Sequence, residues 1–457
     1  MRTWISEILA TGIWAAAIVC LGLAGCGGSR LGPRGEWTWV GGSNTENQTA
    51  VYGAEGTPAA SNTPGGRQFA VGWSDKSGNF WLFGGFSGQN GGYVYFNDLW
   101  KYSAGQWTWM SGSSLDNQAG NYGTLGIAAP SNVPGARIQA NGWTDSAGNL
   151  WLFGGFGFDS TGQYLFLNDL WMYSAGEWIW MSGSNVGNQN GIYGTVGLAA
   201  PANVPGARSL SVTWTDPSGN LWLFGGDGFD SAGNDEYLND LWKYSGGQWT
   251  WVSGSNLVDQ PGSYGTIGVP APGNVPGARL EASGWTDSSG NLWLFGGSPG
   301  PKGQANFLND LWMFSSGEWT WMGGSDSTNQ SGTYGVEGIP DAANIPGARL
   351  SAATWIDSSG DVYLFGGNGY DSTGQWDLLN DLWKYSAGRW TWVSGSKFID
   401  QPGSYGAQGI PARSNVPGAR YSDPSWIDSS GIFCLFGGAG LNANTSGFLD
   451  DLWCYQP

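Results

Sequence analysis

The sequence predicts an all-β protein: a six-bladed β-propeller with four antiparallel strands per blade and an N-terminal strand completing the last blade. Three observations predict it. First, one unit repeats six times, because the PGGR of residues 64–67 returns as PGAR ending at Arg137, Arg208, Arg279, Arg349 and Arg420. Second, every unit then carries LFGG (FWLFGG at 80–85, LWLFGG at 150–155) followed by NDLW (97–100, 168–171, 239–242, 309–312, 380–383) or DDLW (450–453). Third, EWTW at 36–39 has no strands before it. Its counterparts close every unit except the sixth, which stops at DDLWCYQP. A long period built from short aromatic strands is the mark of a propeller.

Within a unit the elements follow in order. The first strand begins at the Arg, as in RIQANGWTD (137–145). DSAGN (145–149) turns into the second, LWLFGG. A longer loop leads to the third, FLNDLWMYS (166–174), and SAGE (174–177) turns into the fourth, WIWMSG (178–183). Alternating aromatics bounded by Gly, Asn and Ser are strand and hairpin signals. The orphan EWTW is then the missing fourth strand of blade six. It should pair with that blade's third strand and close the ring.

The double Gly that ends each second strand, with a Trp on the fourth, resembles the kelch repeat. The resemblance covers about residues 36–455 and implies a kelch-type propeller, similar to the central domain of galactose oxidase. Galactose oxidase holds copper with histidines, and this chain has none, so that activity is set aside. The bacterial sialic acid mutarotase family is also a six-bladed kelch-like propeller, working with Glu and Arg near the axis and without metal. Ligand-binding propellers of this kind use the face that bears the long loops.

Residues 1–25 read as a bacterial lipoprotein signal peptide. An apolar run from Ile8 to Ala24 is short for a membrane span, and LAGC (23–26) resembles the family's cleavage motif. Cys26 would then carry the lipid, residues 26–35 would be a tether, and 36–457 the propeller. The expectation is an exported protein held to the bacterial cell envelope, at the outer membrane or cell surface, by its lipid anchor only. Cys434 and Cys454 replace residues of other types in blade six alone, on neighbouring strands. In an exported chain a disulfide is the expectation, and two buried thiols are the alternative.

The net charge is −18, which repels a phosphate backbone and argues against nucleic acid as a partner. The absence of histidine excludes imidazole catalysis and His-ligated metals. No catalytic motif stands out, and no cofactor or metal is expected. Of 31 tryptophans, Trp4 and Trp14 lie in the leader and Trp376 is out of register. The rest fill five repeating positions and read as packing between blades. The six repeated arginines open the innermost strands. They form either an anion-binding crown, with Arg208, Arg279 and Arg349 as candidates, or one pair per blade with the Asp of NDLW.

Antiparallel strands place the two-to-three and four-to-one loops on one face. The four-to-one loops repeat Gln, Tyr-Gly and Asn-x-Pro-Gly and read as an architectural collar. The two-to-three loops differ in every blade, and a single asymmetric ligand needs such broken symmetry. The candidates are therefore Asp227, Asp230, Asp235 and Glu236 in blade three, and Asp371, Trp376 and Asp377 in blade five. Glu281, Tyr421 and Asp423 are unique on the innermost strands. The acidic DSAGNDE loop (230–236) also offers oxygens to calcium. The leading functional reading is a membrane-anchored, monomeric binding module that recognises a glycan or a protein. The alternatives are a carbohydrate-active enzyme of the sialic acid mutarotase type and a structural envelope scaffold.

Overall fold

Aromatic and small residues alternate along nearly every segment, and the chain answers with β-structure throughout. A computed structural model describes residues 34–89 and 92–457. Cys26, the leader and most of the tether lie outside the described residues. Blade two shows the unit. Its first strand is Asn141–Thr144, preceded by the short piece Arg137–Ile138. Leu150–Phe158, Tyr164–Ser174 and Glu177–Ser182 follow, each antiparallel to its neighbour.

Asp145 makes the first turn. Its Oδ1 accepts the N–H groups of Ala147 and Asn149, and its Oδ2 accepts the Asn149 amide and the Trp151 indole. Aspartates 75, 216, 287, 357 and 428 open the same turn in the other blades. In blades two, three and six the second strand runs on through the double Gly. In blades one, four and five it breaks there and resumes as a separate short piece.

The six first strands touch in sequence around an axis, and the first-blade strand Val71–Ser74 also touches the sixth-blade strand Ser425–Ile427. The ring therefore has six blades. Trp37–Gly41 pairs with Ser446–Tyr455, with Trp37 opposite Tyr455 and Trp39 opposite Trp453. The early EWTW strand closes the last blade, as the repeat requires. Cys434 and Cys454 face each other on the second and third strands of that blade and form a disulfide, a bond that suits an exported protein.

Packing between blades explains the tryptophans. The indoles of Trp73, Trp143 and Trp214 each donate to a main-chain carbonyl of the following blade, at Trp151, Trp222 and Trp293. The glycine pair answers the same need. Gly154 has φ +62°, and a Cβ on it would lie 2.7 Å from the Arg208 carbonyl of the next blade. The collar loops pass over the outer edge of the blade they are about to enter. Gly126 N–H donates to the Trp180 carbonyl and the Asn132 amide to that of Trp178, which shields edge strands from pairing with other chains.

One lock recurs in every blade. Arg137 gives two parallel hydrogen bonds to Asp169, at 2.7 and 2.8 Å, and a third to the Gly154 carbonyl. The Trp171 indole and the Tyr122 hydroxyl also donate to Asp169 Oδ2, at 2.7 and 2.6 Å. Arg67–Asp98, Arg208–Asp240, Arg279–Asp310, Arg349–Asp381 and Arg420–Asp451 repeat it, with side chains sealed from solvent. The ring arginines therefore form pairs, and the open crown that would make Arg208, Arg279 and Arg349 ligand contacts is not formed. A bidentate guanidinium saturated by a buried carboxylate has nothing left to offer a ligand.

The closing blade departs from the pattern at one residue. In the other blades an Asn precedes the lock Asp, and its amide donates to the collar proline carbonyl, as Asn168 does to Pro205 at 3.3 Å. Its Oδ1 accepts a main-chain N–H, as from Ser184. Blade six carries Asp450 there. Asp450 Oδ1 accepts from Ser43 N–H at 3.1 Å, but a carboxylate has no amide donor for Pro64. Arg67 Nη2 donates to the Pro64 carbonyl instead, and Arg67 Nε is left without the partner that Arg137 Nε finds in Gly135.

Burial pushes the Asp450 carboxyl up to about 7, against the Ser43 N–H that favours its charge. A carboxyl raised above its ordinary value holds a proton in the folded state that the unfolded chain has released. The contribution of Asp450 to stability is therefore full in acid and falls as pH rises from about 4 to about 7. Asp450→Asn is expected to raise stability at pH 8 by about 1–2 kcal/mol, one restored hydrogen bond and one removed buried charge, and to change little at pH 5. Urea unfolding at the two pH values checks this. An equal effect at both would contradict it.

Candidate functional site

Two residues beyond each ring arginine the chain enters the left-handed region. Phe69, Gln139, Leu210, Glu281, Ser351 and Ser422 all have φ between +52° and +59°. For L-residues this costs about 1 kcal/mol each. Main-chain bonds passing from blade to blade hold it: Gln139 N–H to Phe69, Leu210 to Gln139, Glu281 to Leu210 and Ser351 to Glu281, at 2.9–3.1 Å. The backbone is thus nearly identical in every blade, while the side chains differ. All six are half-buried around the axis.

Glu281 is the one acid of this ring. Its Oε2 accepts from Ser351 Oγ at 2.7 Å. Burial outweighs that bond and pushes the carboxyl up to about 7. Blade three approaches from one side. Lys302, from the blade-four loop, reaches Asp227 Oδ1 at 3.0 Å and Asp235 Oδ1 at 3.3 Å, and its ammonium lies over the Phe166 ring. Burial raises the Asp227 carboxyl, with Lys302 opposing. The Tyr237 phenol is pushed up to about 12 by burial and then by Asp227, with Glu236 and Glu281 adding to the same field. Glu236 Oε2 is buried without a partner.

The opposite side is aromatic. Phe69 stacks on Phe86 and meets Tyr421 edge-on, both at 6.1 Å between centroids. Phe86 packs against Tyr93 and Phe448 at 5.2 Å. Tyr421 is raised first by burial, with Glu281 and Asp377 contributing. Glu281 therefore lies within the fields of both Tyr237 and Tyr421, between an acidic wall and an aromatic one. Asp423 is buried where Ala70, Ala140, Ala282 and Ala352 stand in other blades. Neither of its oxygens has a partner, and burial pushes it up to about 7 against the pull of Arg420.

The sequence candidates therefore divide. Asp227 and Asp235 are joined by Lys302, Glu236 and Glu281 act on the same Tyr237 phenol, and Glu281 also acts on Tyr421. Asp230 and Asp371 do not join them. Each is buried and turned onto its own loop, Asp230 accepting from Ala232, Asn234 and Val258, and Asp371 from Thr373, Gln375 and Ile399. Their carboxylates close turns and are unavailable to a ligand. Among the described residues no three acidic or Cys side chains converge as a cation would need. Trp376 keeps 47% of its surface and meets Phe307 edge-on. Asp377 is exposed and accepts from Leu378 N–H. Phe69, Ser351, Lys302 and Tyr237 belong to the site without having been candidates. Their only signal was variation at a fixed offset from the repeated Arg, or within the irregular loops.

No family model matches the chain, and no curated protein matches it. Solved structures do. YjhT gives a TM-score of 0.47 at 13% identity, covering 85% of this chain and 95% of that one. A fungal alcohol oxidase of the AA5 family, in complex with copper, gives 0.45 at 14%, covering 88% and 77%.

Proposed function

We propose that the protein is an exported binding module, tethered by lipid at Cys26, that takes an uncharged or cationic glycan at the axial mouth of its long-loop face. One observation carries this reading: the mouth sets carboxylates opposite aromatic rings and offers no free guanidinium. Carboxylates accept hydrogen bonds from sugar hydroxyls, and aromatic faces cover the apolar face of a pyranose. Among the described residues the single cation there, Lys302, is already held by Asp227 and Asp235. A sialic acid would bring its own carboxylate to an acidic mouth whose six arginines are sealed, so the sialic acid mutarotase reading loses its anion site.

A second reading has one observation in its favour. Burial pushes the Glu281 carboxyl up to about 7, a range that suits acid–base chemistry at an anomeric hydroxyl. Polarimetry on freshly dissolved glucose or galactose tests it, and a rate unchanged by added protein rejects it.

For the binding reading, the protein is to be titrated calorimetrically with glucose, galactose, mannose, glucosamine and sialic acid. A neutral sugar or glucosamine should bind and sialic acid should not. Glu281→Gln should weaken binding about 10-fold, the loss of one charge-assisted hydrogen bond. Affinity should fall as pH drops through about 7 and Glu281 takes up its proton. Binding of sialic acid in preference to the others would contradict the reading.

A further inference from the structure

In blades two to six the four-to-one collar and the two-to-three loops meet at a slot away from the axis. In blade two a turn of the chain fills it. Gly120 N–H donates to the Asp159 carbonyl at 3.3 Å, Gly187 N–H to Asp159 Oδ2 at 3.1 Å, and Ser160 N–H to the Asn185 carbonyl at 3.0 Å. Asp230 with Ser231, and Asp371 with Ser372, make the same three bonds in blades three and five. In blade six Asn442 enters the slot, and its carbonyl accepts from Gly403 N–H at 2.9 Å.

Blade four has no such turn. Its loop, SPGPKGQANFL (298–308), lacks the Asp-Ser pair and leaves toward blade three, where Lys302 is held. A cavity of about 470 Å³ opens in the place of the turn. Gly262, Thr328 and Asp326 line it, the equivalents of Gly120, Gly187 and Asn185. Among the described residues, Gly262 N–H, Thr328 N–H and the Asp326 carbonyl, all at an open rim, make no hydrogen bond to another part of the chain. The slot thus keeps two donors and an acceptor that blades two, three and five satisfy from their own chain.

What group would satisfy them in blade four follows from the filled slots. It presents two oxygens to the two N–H groups and one N–H to the carbonyl. Blade four adds two carboxylates at the rim. Asp326 is acidic where the other blades carry Ser114, Asn185, Asn256, Lys397 and Asn44. Asp259 faces the slot beside Gly300. These carboxylates exclude an anionic group such as the Asp side chain used elsewhere, and they invite hydroxyl donors. Pro299, Pro301 and Leu308 give an apolar wall.

We infer that the blade-four slot binds an N-acetylated amino sugar, its acetamido group replacing the Asp-Ser turn that fills the same slot in other blades. The acetamido carbonyl and the neighbouring ring hydroxyl supply the two oxygens, and the acetamido N–H donates to the Asp326 carbonyl. The remaining hydroxyls donate to Asp259 and Asp326. This deepens the glycan reading, on which it rests, but it uses a site separate from Glu281.

The test is calorimetric titration with N-acetylglucosamine against glucose and against acetylated glycinamide. N-acetylglucosamine should bind at least about 10-fold tighter than either. Asp326→Lys should weaken it about 10-fold or more, because blade five carries Lys397 at this place without loss of its fold. Asp259→Asn should weaken it likewise, because Asn117 and Asn188 stand at this place in other blades. Glu281→Gln should leave it unchanged. Equal binding of glucose, or tighter binding of the acetylated amide, would overturn the inference. So would affinity untouched by both slot variants and lost with Glu281→Gln, an outcome that leaves the axial reading standing. Loss with the slot variants alone supports the slot and leaves the axial reading to its own titrations with glucose and galactose. No sugar binding at all defeats both.

Discussion

Every blade is held by a guanidinium buried against a carboxylate. An ion pair taken out of water loses more hydration than the attraction between its partners alone returns, unless every remaining polar site is matched. Here it is matched. Asp169 accepts from both Arg137 nitrogens, from the Trp171 indole and from the Tyr122 hydroxyl. Burial works against the charge of Arg137, and Asp169 more than offsets it, so the guanidinium ends above its ordinary value. Burial and Asp169 together hold the Tyr122 phenol neutral. The lock ties three parts of one blade: the incoming collar by its Tyr, the innermost strand by its Arg, and the third strand by its Asp and Trp. A change in any one leaves the others buried and unpaired.

That constraint explains why the sequence is so uniform and where it is free to vary. Arg, Asp, Trp and Tyr recur because each completes a set. The left-handed residue two beyond the Arg is fixed in backbone by blade-to-blade bonds, yet its side chain is outside the lock. Phe69, Gln139, Leu210, Glu281, Ser351 and Ser422 therefore diverge on an invariant frame. The two-to-three loops are free in the same way. Variation concentrated at the axis and on one face is what an asymmetric ligand requires of a symmetric scaffold.

Much of this is legible in the sequence, because repetition exposes it. The six copies of PGAR or PGGR, of LFGG and of NDLW or DDLW give the blade number, the early EWTW gives the closure, and Cys434 and Cys454 stand out as departures within one blade. The site is less legible. Asp230 and Asp371 are acidic, but whether a loop carboxylate faces solvent or its own backbone depends on the turn, and their Asp-Ser sequence closes it. Asp159 in blade two, in the same DS context, was the available warning. Arg208, Arg279 and Arg349 are equally open to either role until Asp240, Asp310 and Asp381 are seen beside them. Lys302 and the blade-four slot carry the faintest signal of all, the absence of a turn its neighbours possess.

The central claim is that the arginine–aspartate lock acts as one unit, and a double-mutant cycle on Arg208 and Asp240 tests it most directly. Urea unfolding would compare Arg208→Met, Asp240→Leu and the double variant with the parent. Each single change should cost about 3–5 kcal/mol by stranding the other charge. The double change should cost clearly less than the sum, because no charge is then left buried alone. Single effects that are small, or that add within about 0.5 kcal/mol, would show that the pair is incidental and that aromatic packing alone holds the blades.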